Sequence, residues 1–502
     1  MARSTATSPS FLKQLVYAMA GRDASGAQAS SRGQLAPAGG YAANVPAVRP
    51  WRATTRQVCG LWPFVVGGNA PLVGAPVGRA LNGSGTVCAD PISWFQRGLI
   101  AAPSAMVLGL NGLGKSSLVR RMILAQAGFG VHTMILGDIK PDYVDLVEAL
   151  GGQVITIGHG QAGINPLDAG NVDEAAALLA DKPQARAALI AAAHERKKTL
   201  VCSLIHIIRR EPPTDREETI VDEAVRILET RGGKPVLTDL LEVVREAPEP
   251  LRRAALDRGE ISHYRAVTEA LEASLMALLS GRFGSIFAAA TTTPMMMDRS
   301  VVFDVHSLLQ AEEDLQAGVL LACWSYGFAT VEIAQTLADA GAAPRRRYQL
   351  VMDELWRILR TSSGMVERID SLTRLNRTVG IGQMMITHSM SDFNALASES
   401  DRLKALGFVE RSKMLFLGGL PAREMELLEG VFPMSEAEKA LLSSWNAPGT
   451  YDPATGRESA PVGRGKFLLK TSGAPGAAFQ VQFVAGEREL SDTNKRWEVA
   501  AL

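Results

Sequence analysis

The stretch Gly109-Leu-Asn-Gly-Leu-Gly-Lys-Ser-Ser117 decides the reading of this chain. Gly109, four residues, then Gly114, Lys115 and Ser116 fit the phosphate-loop spacing. Glycines at these positions let the backbone turn tightly and aim several N–H groups at one point. A helix that follows such a loop adds its own unsatisfied N–H groups and the positive end of its dipole. Gly109, Leu110, Asn111, Gly112, Leu113, Gly114, Lys115, Ser116 and Ser117 are therefore the expected phosphate-binding residues. Lys115 is expected to reach the outer phosphates, and the Ser116 hydroxyl to ligate Mg2+. The flanks agree with this reading. Ser104-Ala-Met-Val-Leu is a short apolar run that reads as a buried strand, and the residues from Ser117 to Ala127 read as a helix.

Working outward, Val131 to Asp138 reads as a second buried strand ending in an acid. Tyr143 to Leu150 reads as a helix, and Gln153 to Gly158 as a third strand. Alternating strands and helices of these lengths imply an α/β fold with a mainly parallel sheet. Ile164-Asn165-Pro166-Leu167-Asp168 reads as a loop, in which Asn165 and Asp168 are candidates to touch nucleotide or a neighbouring subunit. From Ala175 to Phe283 the chain is rich in Ala, Leu, Glu and Arg with recurring helical periods, which predicts an all-α insertion of roughly five helices. Gly281-Arg-Phe-Gly-Ser-Ile-Phe reads as a turn. Core strands return at Ser300-Val-Val-Phe-Asp-Val, followed by a long helix over Glu312 to Ala340.

Tyr348-Gln-Leu-Val-Met-Asp353-Glu354 is the second chemical signal. An apolar strand ending in two acids delivers both carboxylates to the sheet's C-terminal edge, where open α/β sheets bind ligand. Asp353 is the expected Mg2+ partner, and Glu354 the group that activates a water for in-line attack. The next strand, Gly380 to Thr387, ends at Thr387-His388, candidates to sense the terminal phosphate. Arg374 and Arg377 precede that strand and are candidates for an arginine donated to a neighbour's site, with Arg402 and Arg411 behind them.

The ends have a different character. Met1 to Ala47 is rich in Ala, Gly, Ser and Arg, with one short helical period at Phe11 to Ala20, and reads as a helix and flexible linker. Trp51 to Trp94 and the run from Gly465 to Val484 read as β-hairpins. Asp90-Pro91 reads as a turn. The resulting segments are 1–50, 51–103, 104–174, 175–290, 291–460 and 461–502: flexible segment, β-rich lead-in, first core part, α insertion, second core part and C-terminal hairpin.

Composition narrows the function classes. Lysine plus arginine equals aspartate plus glutamate, 52 each, so any nucleic-acid contact needs a local patch and not a basic chain. The 4 cysteines, Cys59, Cys88, Cys202 and Cys323, form no metal-ligand spacing and read as reduced packing residues. No apolar run in the sequence approaches the ~20 residues that span a bilayer, and the N-terminus does not read as a secretory signal.

Taken together, GLNGLGKSS, INPLD, the helical insertion, GRFGSIF, VVFDV, LVMDELW and the strand ending Ile-Thr occur in an order that resembles the conjugative-transfer, or type IV secretion, ATPases of the VirB/TraC type. These belong to the HerA–FtsK group of RecA-like motors. The C-terminal run from Gly465 through Glu487 to Trp497 is similar to actinobacterial members. The resemblance covers about Leu61 to Trp497. It implies a RecA-like phosphate-loop core that binds ATP and Mg2+ through Gly109 to Ser117, with Mg2+ and catalytic roles for Asp353 and Glu354. It implies a hexamer or other ring on the cytoplasmic side of the cell membrane, docked on channel components of a secretion or conjugation apparatus, with DNA as a possible partner. Two features depart from the family pattern: His388 stands where Gln usually follows Thr, and the large N-terminal domain is nearly absent. A double-stranded DNA translocase of the FtsK/HerA kind, and a nucleotide-gated scaffold that does not hydrolyse, are the alternative readings.

Overall fold

A computed structural model describes residues 70–82, 85–353, 380–394, 396, 398–449, 451–452, 457–458, 460–471, 474–484 and 486–487. Glu354, Arg374, Arg377, the Phe11–Ala20 period and the Val58–Val66 segment lie outside the described residues.

The chain enters through strands β1 (Pro76–Ala80) and β2 (Thr86–Cys88), an antiparallel hairpin. Asp90-Pro91 is not an isolated turn. It starts helix α1 (Pro91–Gln96), with Asp90 as N-cap accepting from Ser93 N at 2.8 Å and Pro91 in the first turn. Both residue types suit those places, because Asp satisfies an orphan N–H and Pro has none to lose. Then follow β3 (Ser104–Leu108), α2 (Lys115–Gly128), β4 (Val131–Asp138), α3 (Val144–Ala149) and β5 (Gln153–Thr156).

Seven helices separate β5 from the next core strand, where periodicity suggested about five. They are α4 (Val172–Leu178), α5 (Pro183–Arg209), α6 (Asp215–Arg231), α7 (Leu237–Glu246), α8 (Glu249–Ala254), α9 (Ile261–Leu279) and α10 (Gly281–Phe287). The last of these is the GRFGSIF run, expected as a turn. Phe283, Ile286 and Phe287 bury one side of it, and this apolar anchor outweighs its two glycines. Helix α6 starts with a capping box, Thr214 and Glu217 each bonding the other's backbone N–H. Glu217 also takes a paired contact from Arg209 at 2.7 and 3.0 Å, which ties α5 to α6.

The core resumes with β6 (Val301–Asp304), α11 (Glu313–Asp339), β7 (Arg347–Met352), β8 (Ile381–Thr387), α12 (Ser391–Asn394), α13 (Glu399–Arg411), β9 (Met414–Leu417), α14 (Ala422–Glu429) and α15 (Glu436–Ser444). A two-residue ladder, β10 (Tyr451–Asp452) with β11 (Arg457–Glu458), stands apart. The C-terminal hairpin is β12 (Lys466–Lys470) with β13 (Ala477–Val481).

These strands form an 11-stranded sheet in the order β2-β1-β13-β12-β9-β3-β8-β7-β4-β6-β5. From β9 to β5 every pair is parallel. From β9 outward to β2 every pair is antiparallel. The expected terminal hairpins are therefore present, but they are not separate appendages. Gly78 pairs with Val481, so the lead-in and the tail continue one another and the central sheet.

Two apolar layers cover the sheet. One buries α2 and α3 through Leu118, Val119, Met122, Ile123, Leu146 and Val147. The other buries α11 and the insertion helices. Strands covered on both faces read as continuous apolar runs, as β3 and β9 do. Helix α11 is the one described helix long and apolar enough to cross a membrane, but 94% of its apolar window is buried inside the protein. It packs against β4 and α5, which makes it the core helix of this layer. A scan for uninterrupted apolar runs passes over it, because Gln, Ser, Thr and Glu interrupt the helix without preventing burial.

Candidate functional site

The phosphate loop joins β3 to α2 at the C-terminal edge of the parallel strands. Gly114 sits just before the helix at φ +91°, a conformation that L side chains rarely adopt, so a glycine is required there. No side chain caps α2, so the first-turn N–H groups stay available to an anion. The loop is braced from behind: Gly418 N donates to Leu108 O at 2.7 Å and Leu110 N to Gly419 O at 3.3 Å. The buried Lys115 folds back on the loop, its Nζ donating to Gly109 O at 2.7 Å and to Leu110 O at 3.2 Å.

Three neighbouring strands present acids at the same edge: β4 ends in Asp138, β6 in Asp304, and β7 leads into Asp353. Asp138 and Asp304 are paired in register. Asp138 is almost wholly buried and accepts Asp142 N at 3.0 Å and Tyr143 N at 2.8 Å. This shapes the turn after β4 and sends its side chains in two directions. Asp142 accepts the Ser116 hydroxyl at 2.8 Å, and the Tyr143 hydroxyl donates to Asp353 at 2.9 Å. Burial pushes the Asp138 carboxyl up to about 8, helped by the charges of Asp142 and Asp353 and opposed by its two backbone donors. Burial, then the Asp353 charge, pushes the Tyr143 phenol well above its ordinary value, so it remains a donor.

Asn111, Gly112, Gly114, Lys115, Ser116, Ser117, Asp353 and His388 all line one open cleft of about 1310 Å³. Sequence reasoning had drawn them from three segments, and the fold gathers them. Thr387 is buried and pairs with Leu108, the last residue before the loop, so β8 separates β3 from the acid strand β7. Gly109, Leu110 and Leu113 shape the loop from behind and are not among the cleft-lining residues.

Other candidates fall elsewhere. Asn165 is buried and spends its amide on Pro235 O at 2.8 Å and Leu167 N at 3.0 Å. Asp168 accepts Gly170 N at 2.9 Å, a turn contact. The cleft lining includes neither. Arg402 is exposed on α13, and Arg411 stacks on Phe408 with 5.2 Å to the ring centroid. The cleft lining includes neither of these arginines.

Several cleft residues were not singled out from the sequence. Lys140, Asp142 and Asp145 follow β4, Asp304 closes β6 with His306 after it, and Arg464 and Gly465 lead into Lys466, the first residue of β12. His306 Nδ1 lies 2.8 Å from Asp304 Oδ1. The signal for Asp138 and Asp304 was present, since each closes an apolar strand as Asp353 does. Arg464 carried no such signal, because its place depends on β12 pairing with β9.

An oxygen donor set of Ser116, Asp142 and Asp353 suits a hard cation such as Mg2+. The cleft thus offers phosphate donors on one side and carboxylates on the other.

No family model matches the chain, and no curated protein matches it. Among solved structures, VirB4 of Thermoanaerobacter pseudethanolicus superposes with a TM-score of 0.60 at 19% identity, over 84% of this chain and 100% of that one. The plasmid coupling protein TrwB in complex with ADP and Mg2+ gives 0.45 at 13% identity, over 76% and 86%. The cytoplasmic domain of the Thermomonospora curvata type VII secretion ATPase EccC gives 0.30 at 13% identity, over 84% of this chain and 30% of that one. At such identities likeness speaks for fold, and the first comparison carries it: this chain has the RecA-like phosphate-loop fold of VirB4, the fold its motif order resembles.

Proposed function

We propose that the chain is an ATP-hydrolysing motor of a type IV secretion or conjugation apparatus. The observation that carries this reading is the convergence of Lys115, Ser116 and Asp353 in one cleft at the C-terminal edge of a parallel sheet. The loop amides and Lys115 bind the phosphates, and the first turn of α2 opposes their charge. Ser116, Asp142 and Asp353 would hold Mg2+, which when bound neutralises charge on the phosphates. Tyr143 orients Asp353, and Asp138 holds the turn that places Tyr143 and Asp142. Glu354 is assigned to orienting and deprotonating the attacking water, and His388 to the side of the terminal phosphate. A neighbour's arginine, Arg374 or Arg377, completes the site in a hexamer or other ring. The ring works at the cytoplasmic face of the cell membrane, docked on channel components.

Purified Lys115→Ala and Glu354→Gln proteins are expected to lose ATPase turnover, with Glu354→Gln still binding nucleotide. Turnover equal to wild type in either would overturn the assignment. A steep, salt-sensitive stimulation of turnover by double-stranded DNA would move the reading to a DNA translocase.

A further inference from the structure

The wall of the cleft that faces the acidic strand ends is a strap, Ala460 to Lys466, whose last residue opens β12. It lies more than three hundred residues from the phosphate loop in sequence yet is bonded to it: Gly465 N donates to Leu113 O at 2.8 Å. Gly465 takes φ +73°, and a Cβ there would come within 2.6 Å of Gln480 Nε2. Gln480 in turn donates to Arg464 O at 3.1 Å, and Val481 N to Gly465 O at 2.8 Å. The strap is therefore tied at Gly465 by backbone bonds, to the loop and to β13.

Its first three residues show the cleft apolar groups. Ala460, Pro461 and Val462 are exposed there, Val462 by 45%, and Phe483 closes the row, half-buried against the core. Exposed apolar side chains beside a phosphate loop, on a strap tied to that loop at Gly465, fit the flat face of a nucleobase and its sugar. Arg464 projects from the same strap and has no ion-pair or hydrogen-bond partner for its guanidinium among the described residues.

We propose that the strap is the base-side half of the nucleotide site: Pro461, Val462 and Phe483 pack on the base and sugar, and Arg464 adds a cation to the phosphates. This rests on the phosphate-loop reading above. It explains why the C-terminal hairpin is built into the sheet beside the loop: the strap orders the base as the loop orders the phosphates.

The test compares ADP with inorganic tripolyphosphate, each with Mg2+, by calorimetric titration of full-length protein. Val462→Asp is expected to weaken ADP about tenfold and leave tripolyphosphate within twofold. Arg464→Ala is expected to weaken both ligands. Lys115→Ala is expected to remove both, and if it leaves tripolyphosphate binding intact the phosphate-loop reading fails, not the strap. If Val462→Asp weakens the two ligands equally, or neither, with an unchanged melting temperature, the strap assignment is overturned. Because a charge could unfold the strap, Val462→Ala serves as the milder variant: ADP weakened and tripolyphosphate unchanged supports the proposal, and equal affinity for wild type and variant overturns it.

Discussion

The two walls of the cleft are built by different means. The acidic wall is wired by side chains: Asp138 to the turn, Tyr143 to Asp353, Asp142 to Ser116. The opposite wall is tied by backbone, Gly465 to Leu113 and Val481 to Gly465, and presents mostly apolar surface. Changing a side chain on the first wall should alter chemistry with little loss of fold. Changing the second should alter fold and binding before chemistry. The difference also separates what each wall does, since carboxylates act on charge that develops in a reaction while an apolar wall only holds a ligand in place.

The largest expected effect lies on the acidic wall. Asp353→Asn keeps the size of the side chain and an acceptor for Tyr143, but removes the charge. Turnover should fall by at least ~10²-fold while ADP affinity changes little. Steady-state turnover and titration on the same protein check this. If binding and turnover fall together, the two-wall division is wrong. On the backbone-tied wall the order reverses. Gly465→Val forces a side chain into a left-handed backbone already in contact with Gln480, at a cost of roughly 1–3 kcal/mol in stability. Thermal unfolding should show that loss, and ADP affinity should drop with it.

Legibility in the sequence follows the same division. The phosphate loop and Asp353 are carried by local patterns, an apolar strand followed by glycines or by acids, and such patterns survive without knowledge of partners. The parallel order of β3, β8, β7 and β4 agrees with the α/β reading because each strand announces itself by a short, mainly apolar run. The strap announces nothing. Ala460 to Lys466 becomes part of the site only because β12 crosses back to pair with β9, a long-range choice that no local period encodes. Asp142 and Tyr143 were hidden differently: they sit in a turn whose shape depends on the buried Asp138 accepting both of their backbone N–H groups. The insertion shows a third case, in which periodicity found helices but undercounted them, because short helices such as α8 have too few turns to display a period.

Tyr143→Phe tests the wiring on the acidic wall more finely. The ring still fills its buried place, and only the bond to Asp353 is lost. An orienting partner of this kind is worth ~10-fold in metal affinity. The Mg2+ concentration for half-maximal turnover should rise by about that factor, with turnover at saturating Mg2+ restored towards wild type. A fall that saturating Mg2+ does not restore would place Tyr143 in the chemistry and not behind it.

The last effect is pH-dependent and concerns Asp138, and its sign follows from burial. The carboxyl is raised from 3.8 to about 8 in the folded protein, so between those values the native state holds a proton that the unfolded chain has lost. The stabilisation is therefore complete below pH 3.8 and declines as pH rises towards 8, by at most about 1.4 kcal/mol per pH unit. Asp138→Asn removes the titration while keeping one acceptor for the turn. Denaturant unfolding between pH 5 and pH 8 should show stability falling with pH in the wild type, and a flatter profile in the variant. An identical slope in both proteins would mean that Asp138 is ionised in the folded state. The acidic wall would then carry one more negative charge beside Asp353 than burial allows, and its two backbone donors would have outweighed desolvation.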